Sequence, residues 1–172
     1  MVRHRVAKTG WDLELVSMEG DHKITPLLTT PFNERLADVS PDGRLIAYQS
    51  DESGPDEVYV RPFPHVDDGK WQVSRGGGST PVWSRDGHEL FYLAPGGRMM
   101  AVAVRAQTTF SSSPPIKLFE GSFASTSEAR HFDVTPDGRF LMIKQGGNAA
   151  EAPRLIVVEN WLEELLRRVP TK

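Results

Sequence analysis

Three carboxylates in one short loop, Asp51, Glu52 and Asp56 of DESGPDE, are the residues best suited by type to hold a hard cation such as Ca²⁺ through oxygen ligands. Their spacing is not the Asp-x-Asp-Gly pattern of a self-contained calcium loop, so the same side chains also read as solvated charges on a binding rim. A second set could do acid–base work. His131, which alternates with Asp133 along an extended segment, is the candidate catalytic base, with Ser122, Ser125 and Ser127 just ahead of it. No Gly-x-Ser-x-Gly elbow presents a serine nucleophile. Gly76-Gly77-Gly78 suggests a phosphate cradle, but neither a Lys-Ser/Thr pair nor a helix follows, and the run fits a linker between structural units. The absence of cysteine excludes disulfides, thiolate metal sites and thiol nucleophiles together.

The elements that must position these residues announce themselves by repetition. VSPDGRLIAYQSD, VWSRDGHELFYLA and DVTPDGRFLMIKQ each contain a short apolar run, a Ser/Thr-x-Asp-Gly turn and a second run of mostly apolar residues, the signature of a tight β-hairpin. Pro41 and Pro136 pre-set φ for a type I turn, and Gly43, Gly87 and Gly138 supply the left-handed residue that closes it. Asp42, Asp86 and Asp137 therefore read as turn-forming side chains, since a catalytic carboxylate would not be triplicated in three turns. The chain has 172 residues, with 20 Lys+Arg against 23 Asp+Glu, and this balance, without any basic run, argues against a nucleic-acid surface. Its start carries charge but no apolar stretch, and no membrane-spanning run follows, so a cytoplasmic location is expected of the chain as given.

Read in order, residues 1–10 are a polar lead-in and residues 11–30 hold two strands, a half unit in which Pro26 suits only a sheet edge. Residues 35–75 and 80–120 each hold four antiparallel strands. The second of these contains a serine-rich connection at 107–115. Residues 129–159 form a third unit, ending in the strand-like RLIVVE. NWLEELLRRV at 160–169 places its apolar residues on one face of a short C-terminal α-helix capped by Asn160.

Laid out this way, the chain resembles the TolB-type β-propeller repeats. More closely, it resembles the C-terminal part of propeller domains attached to bacterial membrane-tethered serine/threonine kinases. SPDGRLIAYQSDESGPDEVYVRPFP, KWQVSRGGGSTPVWSRDGHELFYLAPGG and ENWLEELLRRVP carry the resemblance. It implies an all-β chain of about three four-stranded blades. That is too few to close a ring, so a homodimer that completes one propeller is expected. Standard blade order puts the Asp-Gly turns at one end. At the other end it gathers a ligand rim of Asn33, Glu34, Arg35, Arg75, Ser79, Glu128 and Arg130, together with Asp51, Glu52 and Asp56. The function expected is a non-catalytic binding or sensing module taking a small molecule or protein in the funnel, with no nucleic acid or membrane partner. Two alternatives stand beside it. One is a Ca²⁺-dependent hydrolase of esters or lactones, in which the metal would polarise the carbonyl. The other is a carbohydrate-binding propeller using Trp71, Trp83 and Tyr92, residues whose strand positions also suit wedging between blades.

Overall fold

LIAYQS and ELFYLA are apolar at almost every position, where a strand with one wet face would alternate; such runs are explained if both faces of the sheet are covered. The computed structural model, which describes residues 2–6, 10–106, 110–126 and 129–145, has that arrangement. Its described residues form four antiparallel sheets in chain order. The first is β1 (Val2–Val6), β2 (Gly10–Val16) and β3 (Ile24–Leu28). The second is β4 (Glu34–Val39), β5 (Leu45–Ser50), β6 (Glu57–Pro62) and β7 (Trp71–Gln72). The third is β8 (Ser79–Trp83), β9 (Glu89–Ala94) and β10 (Arg98–Ala106), with β11 (Phe110–Ser112) and β12 (Ile116–Glu120) both pairing to β10. The fourth is β13 (Phe132–Val134) with β14 (Phe140–Met142).

Alternate residues of each inner strand feed different cores. Ile46, Tyr48 and Tyr59 pack with Leu13 and Leu28 of the first sheet, while Leu45, Ala47, Val58 and Val60 pack with Trp83, Leu90, Tyr92 and Val102 of the third. Phe91, Leu93, Met99 and Ala101 turn the other way, onto Phe132 and Val134 of the fourth. Successive sheets are thus stacked face to face by the period-2 geometry of the strand. Trp83 and Tyr92 are buried in the core between the second and third sheets, and Trp71 stacks on Phe110 at 4.8 Å; all three are wedge residues, as their positions suggest. Pro26 lies on β3, at a sheet edge.

The structure adds strands the sequence pattern concealed. The polar lead-in is not loose: Val2–Val6 pairs with β2 from Val2↔Glu14 to Val6↔Gly10, so the first sheet has three strands rather than two. The serine-rich connection contains β11, because β10 is nine residues long and offers a second partner surface beyond the length of β12. The strand expected at 154–159 and the helix expected at 160–169 lie outside the described residues. Among the described residues no helix is long and apolar enough to cross a membrane.

The repeat extends into backbone detail. Leu36 and Thr80 stand in equivalent places in β4 and β8. Both have positive φ, +48° and +54°, and both sit in a ladder irregularity. Gly97 has φ +70°, and a Cβ there would run into the carbonyl oxygen of Gly121, which leaves no room for a side chain. Gly97→Ala is expected to cost about 2–3 kcal/mol in urea unfolding, from left-handed strain plus a backbone clash. A change within about 0.5 kcal/mol would show that the segment containing Gly121 is not held against this hairpin.

Candidate functional site

The two ends of the sheets differ in what their side chains do. At one end the three Asp-Gly turns share one bonding scheme. Ser40 Oγ donates to Asp42 Oδ1 at 2.6 Å, and Ser84 Oγ to Asp86 Oδ1 at 2.6 Å; Thr135 Oγ1 donates to Asp137. The backbone N–H groups of Gly43, Gly87 and Gly138 close each turn onto Ser40, Ser84 and Thr135. The Ser40 hydroxyl and then Arg44 pull Asp42 down to about 2, and Ser84 and Thr135 likewise lower Asp86 and Asp137. These carboxylates are committed to the turns.

At the other end, the loops between β5 and β6, β7 and β8, and β9 and β10 meet the segment 123–126 around a cleft of about 330 Å³. Gln49, Asp56, Ser79, Gly97, Phe123 and Thr126 are among its walls. Gln49 comes from the end of β5, is fully buried, and accepts the Thr80 N–H at 3.2 Å through Oε1. Its Nε2 has no hydrogen-bond partner, an expensive state for a buried amide unless something enters to accept from it. Arg35 and Asp56 close an ion pair of 2.8 Å at the wall.

The expected rim is only partly assembled here. Asn33 donates its N–H and its amide to the two oxygens of Asp51, at 2.9 and 2.6 Å. Glu34 is buried against Thr30, and Ser79 donates to the Leu93 carbonyl at 3.3 Å. Arg75 belongs to a separate cleft, and Glu128 lies outside the described residues. Arg130 does not join the rim. It pairs instead with Asp38 at 2.7 Å, with Asp133 at 3.9 Å.

The expected metal ligands are not brought to one point. Asp51 accepts two hydrogen bonds from Asn33, while Glu52 is paired with Lys70 at 2.8 Å and Asp56 with Arg35 at 2.8 Å, so each acid has a different partner. Among the described residues no group of three or more His, Asp or Glu could hold a metal ion. Nor does the structure pair His131 with Asp133. His131 Nε2 shares a hydrogen bond of 2.8 Å with Thr126 Oγ1, while Asp133 Oδ1 accepts the adjacent Val134 N–H at 2.8 Å. Alternating residues project from the same side of an extended segment, but each finds a nearer partner than the other. Of the serines ahead of His131, Ser125 lines the cleft and Ser127 lies outside the described residues.

Sequence reasoning missed three structuring residues, Gln49 and Glu57 at this end and Asp38 near the Asp-Gly turns. Gln49 and Glu57 are polar interruptions in otherwise apolar strands, and that interruption was the available signal. Asp38 is the third: its Oδ2 accepts the Trp83 N–H at 2.9 Å and its carbonyl accepts the Trp83 indole N–H at 3.1 Å, latching β4 to β8. The Gly76-Gly77-Gly78 run is a linker, and its donors are already used. Glu57 Oε1 accepts the N–H groups of Gly76 and Gly77 at 2.8 and 2.9 Å, so the protein's own carboxylate fills the cradle. No protein-family model matches the chain, and no curated protein matches it.

Proposed function

We propose that the chain is a non-catalytic binding module built as part of a β-propeller, with its ligand site in the 330 Å³ cleft at the loop end. The observation that carries the propeller reading is the Asp38–Arg130 ion pair of 2.7 Å. Asp38 belongs to the second sheet, and Arg130 immediately precedes the fourth; the third sheet packs between them. Sheets pack about 10 Å apart face to face, so in a flat stack the second and fourth would be beyond the reach of one Arg–Asp pair. The ion pair is accounted for if the sheets converge at their inner edges and fan outward, as blades do around an axis. The cleft then falls where three blades meet, the usual place for a concave site between structural units. Its open donor, the buried Nε2 of Gln49, suits a neutral or weakly polar ligand that presents an oxygen acceptor.

The unequal ends support a ring closed by a second copy. The first sheet has three strands, and the last has two among the described residues. Leu141 on the last and Ile143 just past it are 70% and 56% exposed, and Ile24 on the first and Met18 just past β2 are 57% and 84% exposed. Light scattering is expected to give twice the mass of one chain; a well-folded monomer would remove the two-chain ring. For the site, NMR with a set of amide and lactam fragments is expected to shift the Gln49 side-chain amide together with Gly97 and Phe123. Shifts scattered over the surface with Gln49 unmoved would count against the cleft.

A further inference from the structure

We propose that a second, larger cleft, between the second and third sheets, binds small organic carboxylates with an apolar body. It encloses about 580 Å³, and its lining residues include two guanidinium groups, Arg75 and Arg98, and no carboxylate. Its floor is apolar, with Val73 and Tyr92 buried and Met100 packed against the core beneath them. Residues 112–115 form the facing wall.

Both arginines are exposed and keep donors to spare, and Arg98 is anchored. Arg98 spends Nε on the Pro95 carbonyl at 2.9 Å, which anchors the side chain and leaves its terminal nitrogens open. Arg75 sits at the start of the linker that Glu57 clasps through Gly76 and Gly77, and it makes no hydrogen bond or ion pair among the described residues. The acids nearby stand outside the lining: Glu57 accepts from Ser74, Gly76 and Gly77, and Glu120, which faces Arg98 across the β10–β12 ladder and feels its charge, also accepts from Lys117 at 2.8 Å. An anion entering the cleft would meet two positive charges and no lining carboxylate.

The apolar floor then selects among anions. A guanidinium fork matches the planar carboxylate, and Tyr92, whose hydroxyl is bonded to no described residue, can donate a third hydrogen bond. An organic body would cover Val73 and Met100, surface that a bare inorganic anion leaves wet. The inference is independent of ring closure, because every residue it uses lies on two adjacent sheets or their connections within one chain.

The test is a titration of the full chain with 4-phenylbutyrate, followed by amide NMR, beside its neutral amide and inorganic phosphate. Saturable shifts at Val73, Tyr92, Arg98 and Met100 are expected with the carboxylate. The neutral amide should bind about tenfold more weakly, and Arg75→Gln and Arg98→Gln should each weaken the carboxylate about tenfold. Equal binding of carboxylate and amide would overturn the proposal, as would shifts that map elsewhere or displacement of the probe by equimolar phosphate. If Arg98→Gln does not fold, Arg75→Gln and the comparison of carboxylate with amide on the unaltered chain decide it.

Discussion

Glu57→Ala should unfold at markedly lower urea than the parent chain, with a loss of about 3–5 kcal/mol. The side chain is 3% exposed, and its two oxygens serve three donors: the N–H groups of Gly76 and Gly77, and the Ser74 hydroxyl. Ser74 Oγ in turn accepts the Val58 N–H at 2.7 Å, so the carboxylate ends a chain of bonds that ties β6 to the linker. Truncation leaves those donors with no acceptor in a place water reaches poorly, and an unmet buried donor costs about 1–3 kcal/mol. Glu57→Gln should lose less, about 1–2 kcal/mol, because its carbonyl can still accept from both glycines. The functional consequence is as large as the structural one. Gly77 lines both clefts, so slack in this linker should weaken both sites together. A loss under about 1 kcal/mol for Glu57→Ala would mean that the linker is fixed by other contacts.

The second large effect runs in the opposite direction. Glu34→Gln is expected to stabilise the protein by about 2–3 kcal/mol near pH 8 and to change little near pH 4.5. Burial pushes the Glu34 carboxyl up to about 7, against a lowering by the Thr30 hydroxyl, and the charges of Asp12 and Asp51 raise it further. Its Oε2 is buried with no hydrogen-bond partner. Between the ordinary value of 4.5 and about 7, the folded chain keeps a proton that the unfolded chain has released. Stability therefore falls as pH rises through that window and is flat above it. The neutral amide removes that slope while its oxygen still accepts from Thr30. Urea midpoints measured from about pH 4.5 to pH 8 decide the matter: parallel slopes in parent and variant would show that Glu34 ionises freely in the fold. The depressed Asp42 works in a separate window. Its contribution is present above the usual carboxylate range and is lost only as pH falls toward about 2.

The turns were the most legible part of this chain. Ser40, Asp42 and Gly43 make most of their bonds to each other or to close neighbours, and local bonding of that kind is written in consecutive residues. The strands of the second and third sheets were nearly as clear, because burial on both faces imposes long apolar runs. Val2–Val6 was hidden, since VRHRV has neither alternation nor an apolar run and becomes a strand only by pairing with β2. The site was less legible still. The loop carrying Asp51, Glu52 and Asp56 was found, but which cation or donor each acid meets depends on Asn33, Arg35 and Lys70, from elsewhere in the chain.

By itself the sequence determined an all-β chain of repeated antiparallel hairpins, because turn chemistry and strand periodicity act over a few residues. Only the tertiary structure decided the rest. It separated three acids that looked like one ligand set, turned Arg130 from a rim toward Asp38, and gave the glycine linker Glu57 as its anion. It also left Gln49 with an amide nitrogen facing nothing. A buried charge or amide takes whatever partner the packing brings within about 3 Å, and that partner is set by how sheets stack rather than by spacing along the chain.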